Sequence, residues 1–368
     1  MSELRKWLGK ISHHFLPLIP LEKAGEIIGS TTIVDDGKDP LLAGEAAFQE
    51  KKYGRAFEFN NGHLKFTQNF YQARFRDVFV EPKHQIVIKG YSGMVRESAF
   101  YDWYRFAKGH YLKARLFRPG RIRRISKGIL FDGSVGLNYF HFYNDVLPKL
   151  SQVDELDPDQ QFELIISERL FHTAYFQFFY QDKSLQKYNW LVQKQDEYIH
   201  ADELLMIKTR QFHPQALRRT AAAGLALAKD SISRTGEKIF INRKPGAGRH
   251  VSNFDQLKPV LGEFGYKILY MDEYPVEQQI AMCRDAKKIV GVHGAGLTNI
   301  LFADPSKARV LEIFPKGFEP THYYWLSNAL QIRYNACYGN ELTGGSFIID
   351  PQYLRAALSD IEVREGNT

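Results

Sequence analysis

Between Glu237 and Gly339 the chain switches regularly between two hydrophobic patterns. Short runs that are almost wholly apolar (KIFI at 238–241, YKILYM at 266–271, KKIVGV at 287–292, ARVLEIF at 308–314, IRYNACY at 332–338) read as strands covered on both faces. Between them, NFDQLKPVLGEFG (253–265), PVEQQIAMCRDA (275–286), LTNILFAD (297–304) and THYYWLSNALQ (321–331) place apolar residues three and four apart, as helices do. Strand and helix alternating at this pace predict βαβ units on a parallel sheet.

Upstream the signals are sparser. HQIVIKG (84–90) and GILFDG (128–133) are strand-like, and NYFHFYNDVLPKLSQV (138–153) reads as a helix with Asn138 as its cap. FELIISE (162–168) is a buried-strand pattern followed by an aromatic helix, RLFHTAYFQFFYQ. YNWLVQKQ and ADELLMIK suggest further strands, and HPQALRRTAAAGLALAKDSIS (213–233) a long helix with Pro214 in its first turn. These elements predict two α/β domains, 86–215 and 216–350. Residues 1–85 extend the first domain, and 351–368 form a C-terminal tail.

Composition narrows the class. A hydrophobic fraction of 44% over 368 residues supports packed cores for two domains. No apolar stretch approaches the ~20 residues of a membrane span. The first 23 residues lack an uninterrupted apolar run and a small-residue cleavage site. Two cysteines, Cys283 and Cys337, predict no disulfide framework. The expected compartment is the cytoplasm, with peripheral contact at the inner face of the membrane as a variant. Part of the +7 net charge lies in KARLFRPGRIRRISK (113–127), which has no acidic residue. That stripe suits a polyanion or a lipid head group, or is a solvated loop. Leu4, Trp7, Leu8 and Ile11 share helical spacing with Arg5, Lys6 and Lys10 around them, so 1–15 reads as an interfacial helix or as one packed on its own domain. No RNA-binding signature or zinc finger accompanies the stripe, and nucleic acid is not an expected partner.

Candidate chemistry concentrates where the KKIVGV strand ends. There His293 precedes Gly294, Ala295 and Gly296 at the mouth of a helix. Unpaired amides at a helix N-terminus attract anions, and glycines let a phosphate approach them. Thr298 can add a hydroxyl, and His293 a proton or hydrogen bond; the alternative is a buried histidine tied to a backbone carbonyl. FINRKPGAGRH ends another strand with Arg243, Lys244 and Arg249, cations suited to a pyrophosphate. Glu312 lies among apolar residues in VLEIFP, where a lone acid needs a hydrogen-bonding partner such as ribose hydroxyls. Together they describe a nucleoside diphosphate site, with a structural Arg–Glu pair as the alternative. In the first domain His141 and Asp145, four apart, share a helix face among aromatic residues. An imidazole oriented by a carboxylate suits a general base, or the pair steadies the helix.

NYFHFYNDVLPKL, KIFINRKPGAGRHVSNFDQL and GVHGAGLTNILFADPSKARVLEIFP, in this order, resemble three blocks of the glycosyltransferase family 61 proteins, many of them bacterial capsular-polysaccharide enzymes. The resemblance covers roughly residues 85 to 340. It implies a GT-B architecture, two Rossmann-like domains facing across a cleft. It also implies inverting transfer from a nucleotide sugar such as a UDP-sugar to a glycan or lipid-linked glycan, with no requirement for a bound metal. By position it assigns Arg243, His293, Gly294, Gly296 and Glu312 to the donor, and His141 or Asp145 to the acceptor hydroxyl. The second block departs from the family in Asn242-Arg243 and Asn253-Phe254, so whatever the family's glutamate does is done by Asp255 or not at all. The rival reading is a non-catalytic nucleotide- or polyanion-binding scaffold of a polysaccharide assembly. A dinucleotide oxidoreductase has no support, because no Gly-x-Gly-x-x-Gly turn follows a strand.

Overall fold

The computed structural model describes residues 16–36, 65–99, 111, 121–133, 135–316, 318, 320–341 and 343–363. The candidate interfacial helix at 1–15 and the 113–120 part of the basic stripe lie outside them. Contacts divide the chain into two compact units, Met1–Ile33 with Gln68–Gln211 and Val34–Thr67 with Phe212–Thr368. The division at 211/212 falls ahead of the Pro214–Leu227 helix, which lies wholly in the second unit.

The second unit is built on a five-stranded sheet of β10 (Lys238–Ile241), β12 (Lys267–Leu269), β13 (Lys288–Val292), β14 (Arg309–Lys316) and β15 (Arg333–Glu341). All neighbours are parallel, in the order β12-β10-β13-β14-β15. A small parallel pair, β11 (His250–Val251) with β16 (Ser346–Phe347), stands beside it. The near-continuous apolar runs are explained by helices on both faces. On one, Leu257 and Leu261 of the Phe254–Glu263 helix and Leu354 and Leu358 of the Pro351–Val363 helix meet Phe240, Val290 and Leu311. Of the tail expected over 351–368, residues 351–363 form a core helix; Leu354 and Leu358 are 0% exposed. On the other side the Pro214–Leu227, Val276–Asp285 and His322–Leu330 helices pack around a 3₁₀ helix, Ala295–Phe302. This is a doubly wound order, and its winding reverses between β10 and β13. Ligands of such sheets bind at the carboxyl ends beside that reversal.

The sheet of the first unit is mixed. Its members are β1 (Leu18–Ile19), β2 (Glu26–Asp36), β3 (Lys65–Val80), β4 (Val87–Lys89), β5 (Gly93–Val95), β6 (Ile122–Leu130), β7 (Glu163–Ser167), β8 (Trp190–Gln193) and β9 (Tyr198–Lys208). The path runs β1-β5-β4-β3-β9-β6-β7-β8, with β2 on β3. Strands β9, β6, β7 and β8 are mutually parallel, whereas β3 joins β9 antiparallel and β4 joins β3 antiparallel. Only the parallel part has the expected Rossmann-like character. Its winding reverses between β6 and β9, so the carboxyl ends of those two strands mark this unit's candidate pocket.

Candidate active site

Arg243 follows β10 after Asn242 and His293 follows directly on β13, the two strands that flank the reversal in the second unit. The chain then turns through Gly294, whose φ of 168° is ordinary extended backbone. The need for glycine there is spatial: a Cβ would stand 1.9 Å from Nη1 of Arg243. Arg243 itself is committed to backbone carbonyls. It donates from Nε to Gly248 at 2.8 Å, from Nη2 to Ala247 at 2.5 Å and from Nη1 to His293 at 3.4 Å. The cation expected to clamp a pyrophosphate thus holds the 244–249 turn against the end of β13. Gly296 has a packing role as well, since its Cβ would meet Ile241 at 2.9 Å. Ala295, between the two glycines, is exposed.

Arg249 is placed differently. It lies at φ +56° in the turn, with its guanidinium 4.9 Å above the ring of Phe318, a cation–π contact. Its Nε is buried and has no hydrogen-bond partner among the described residues. Phe318 also meets the His293 ring, at 5.7 Å between centroids. Lys244 sits in an exposed ion pair with Asp272 and Glu273, at 3.0 and 3.1 Å.

His293 is 5% exposed, its ring stacked at 5.3 Å on Phe314 and 5.4 Å from Tyr323. Its Nδ1 lies 2.5 Å from Oε1 of Glu312, and the hydroxyl of Tyr334 donates to Oε2 of Glu312 at 2.6 Å. Burial, reinforced by the charges of Arg249 and then Arg243, pushes the imidazole down to about 3. Burial likewise drives the Glu312 carboxyl well above the usual carboxylate range, against the Tyr334 hydrogen bond. Low dielectric thus favours the neutral form of both partners. The ribose role expected of Glu312 does not survive this geometry. The residue is 0% exposed and both oxygens are taken by protein side chains, so a sugar hydroxyl would have to displace Tyr334. The lone acid has its partner inside the protein, and that partner is a histidine, not the arginine of the alternative reading. Thr298 is also turned inward, its hydroxyl 3.4 Å from that of Tyr323, which donates to the carbonyl of Gly294 at 2.6 Å.

In the first unit Asn138 caps the predicted helix by accepting from the amides of Phe140 and His141. The helix then widens into a π-turn over Phe142–Val146, a local departure that often accompanies functional sites. Nδ1 of His141 bonds to Oδ2 of Asp145. The other carboxylate oxygen of Asp145 accepts from Gln211 at 2.8 Å and Asn144 at 3.2 Å, and its carbonyl accepts from Thr209 at 3.0 Å. The pair borders a cavity of about 320 Å³ lined also by Leu130, Thr209, Gln211 and Lys149, at the carboxyl ends of β6 and β9. Lys149 donates to the carbonyls of Phe131 and Asp132 at 2.6 and 3.5 Å. Burial lowers its ammonium to about 8, partly offset by Asp132 and Asp145. Asp132 is buried and raised for that reason, while accepting from the hydroxyl and amide of Ser167 at 2.5 and 3.1 Å.

Some candidates lie elsewhere. Asp255, the acid left to replace the family's glutamate, pairs with Lys258 at 2.6 Å on an open helix surface with its side chain 91% exposed. In the described part of the basic stripe, Arg121 pairs with Asp196, Arg123 with Glu163 at 3.9 Å, and Lys127 with Gln161 at 2.9 Å. Among the described residues no group of three or more His, Cys, Asp or Glu gathers as a metal site. No described helix is long and apolar enough to cross a membrane. The sequence reading missed Lys149, although its place four residues after Asp145 was a usable signal. Thr209 and Gln211 were recoverable as the residues following a strand. Tyr323 and Tyr334 carried no local signal.

A family model described as Glycosyltransferase 61 matches residues 139–311, from the helix bearing His141 into β14. The chain is also similar to an alpha-1,3-arabinosyltransferase, XAT3, of Oryza sativa subsp. japonica, with 27% identity over 205 residues. That alignment covers 49% of this chain and 34% of the rice protein, so the chain spans about a third of the relative's length. Residues 139–311 are therefore similar to a glycosyltransferase 61 domain, the domain of an enzyme class that transfers sugars.

Proposed function

We propose that the chain is a GT-B glycosyltransferase whose second unit holds a nucleotide-sugar donor and whose first unit binds the acceptor. The observation that carries the reading is Arg249, a cation whose buried Nε has no partner among the described residues, beside the neutral His293 and next to the β10/β13 reversal. A diphosphate supplies the acceptors that such a group lacks. Gly294, Ala295 and Gly296 offer amides at the start of the following helix.

The transfer is an inverting displacement. The His141–Asp145 pair takes the proton of an acceptor hydroxyl, and the hydroxyl oxygen bonds to C1 of the sugar from the side opposite the diphosphate. The C1–oxygen bond to the diphosphate breaks, and the nucleoside diphosphate leaves with the electron pair. Arg249 and the Nε2 of His293 stabilise the charge that accumulates there, the part a metal ion plays in other sugar transferases. The donor is a UDP-sugar and the acceptor a glycan or lipid-linked glycan of a surface polysaccharide, assembled on the cytoplasmic side of a membrane.

The test is a thermal-shift and titration screen of the purified chain against nucleoside diphosphates and their sugars, each with and without a chelator. Stabilisation by one nucleotide sugar, unchanged by chelator and abolished in Arg249→Ala, is the expected result. No stabilisation by any nucleotide would overturn the donor assignment.

A further inference from the structure

The second unit buries a three-residue chain of which the transfer reaction as described uses only Nε2 of His293, leaving Glu312 and Tyr334 without a task. It runs from Tyr334 on β15 to Glu312 on β14 to His293 at the end of β13, through contacts of 2.6 and 2.5 Å. Strand register explains how it forms. Glu312 is paired with Ala336 of β15, so Tyr334 lies two residues along on the same face. Glu312 is also paired with Gly291 of β13, where the absence of a side chain leaves room beside the carboxyl. The surroundings are mostly aromatic, and Arg249 and Arg243 are the charges that act on the imidazole. The His293 ring packs on Phe314 and Tyr323 with His322 at 6.1 Å, and Tyr324 packs edge-on to Tyr334 at 5.7 Å.

We propose that Glu312 and Tyr334 are positioning residues that lock His293 in the tautomer carrying its proton on Nε2, so that this nitrogen is always a hydrogen-bond donor. The role of that donor rests on the nucleotide-sugar reading above. Tyr334 donates to one carboxyl oxygen and thereby turns the other toward Nδ1. A neutral Glu312 holds its own proton on that second oxygen and donates it to Nδ1. The single proton of the neutral imidazole is then left to Nε2. The alternative tautomer would bring Nδ1–H against the carboxyl O–H and present an Nε2 lone pair to an anion. A diphosphate would be repelled by it. The lock therefore gives the site a donor that adds no charge and needs no protonation step. It also explains an acid in a strand centre without assigning it to substrate.

The test needs no ligand for its first arm. The chain labelled with ¹⁵N-histidine, with the His293 signals assigned by their loss in His293→Gln, reports the tautomer directly. The expected spectrum has a protonated Nε2 and an unprotonated, hydrogen-bonded Nδ1 at pH 7. Glu312→Gln should keep it, because the amide accepts from Tyr334 and donates to Nδ1 as the neutral carboxyl does. Tyr334→Phe should give mixed tautomers. A protonated Nδ1 with bare Nε2 in the unaltered chain, or loss of the Nε2–H form in Glu312→Gln, would overturn the proposal. The second arm measures nucleoside diphosphate affinity, expected within threefold of the parent for Glu312→Gln and about tenfold weaker for Tyr334→Phe. If the spectrum is as expected and no nucleoside diphosphate binds, the tautomer lock stands and the donor reading fails.

Discussion

Nδ1 of His293 and Oε1 of Glu312 lie 2.5 Å apart, with side-chain exposures of 6% and 0%. An imidazole held down to about 3 stays neutral throughout the physiological range. Affinity for a nucleotide sugar, whose diphosphate has no ionisation near neutrality, should therefore be flat between pH 6 and 8. Isothermal titration at three pH values measures it. A tenfold loss over that interval would mean that His293 binds as an imidazolium.

Gly294 is required by Arg243 and not by its own backbone conformation. Gly294→Ala should push the guanidinium out, release the 244–249 turn and cost about 1–3 kcal/mol, as overpacking does. The same substitution in an Arg243→Ala background should cost far less. Denaturant melts of the four chains close the cycle, and equal losses in both backgrounds would contradict the contact.

Asp145 holds His141 on one oxygen and Gln211 on the other. Asp145→Asn keeps the shape and removes the charge. Once an acceptor is known, transfer should fall about 10²–10⁴-fold, the usual contribution of a general base. Donor affinity should be unchanged, because the proposed mechanism assigns the donor to the other unit. A parallel loss of donor binding would assign the pair a structural role.

Lys149 has an ammonium at about 8 in the folded chain against 10.5 for the free group. Between those values the unfolded chain binds the proton that the folded chain lacks, so this residue makes stability rise with pH in that window. The slope is at most ~1.4 kcal/mol per pH unit. The stability difference between the parent and Lys149→Met should therefore shift in the parent's favour from pH 8 to 9.5. A difference independent of pH would show that the lysine stays charged in the fold.

Leu358 is wholly buried against the strands of the second unit. Leu358→Ala should destabilise that unit by about 2–5 kcal/mol, the range for a core leucine. Chemical denaturation reads it directly. A change under 1 kcal/mol would return residues 351–363 to the status of an appended tail.

The sequence alone determined the alternation of strand and helix from 238 to 339, because strands covered on both faces and helices covered on one leave different periods of apolar residues. It also marked the chemistry-bearing ends. His293, Arg243 and Arg249 follow strands, and the His141–Asp145 pair depends only on a helical spacing of four. Tertiary structure decided which strands are neighbours, and so which side chains meet. That Glu312 would face His293 and Tyr334 follows from the pairing of β14 with β13 and β15, a relation between residues about twenty apart that no local pattern encodes. The same applies to Arg243, whose charge suggested a ligand until the fold placed three carbonyls around it. The 351–363 helix could not be told from a tail either, because its apolar face acquires meaning only when a sheet is there to cover. Local periodicity records what each segment buries; the partner it is buried against is fixed by strand order and register.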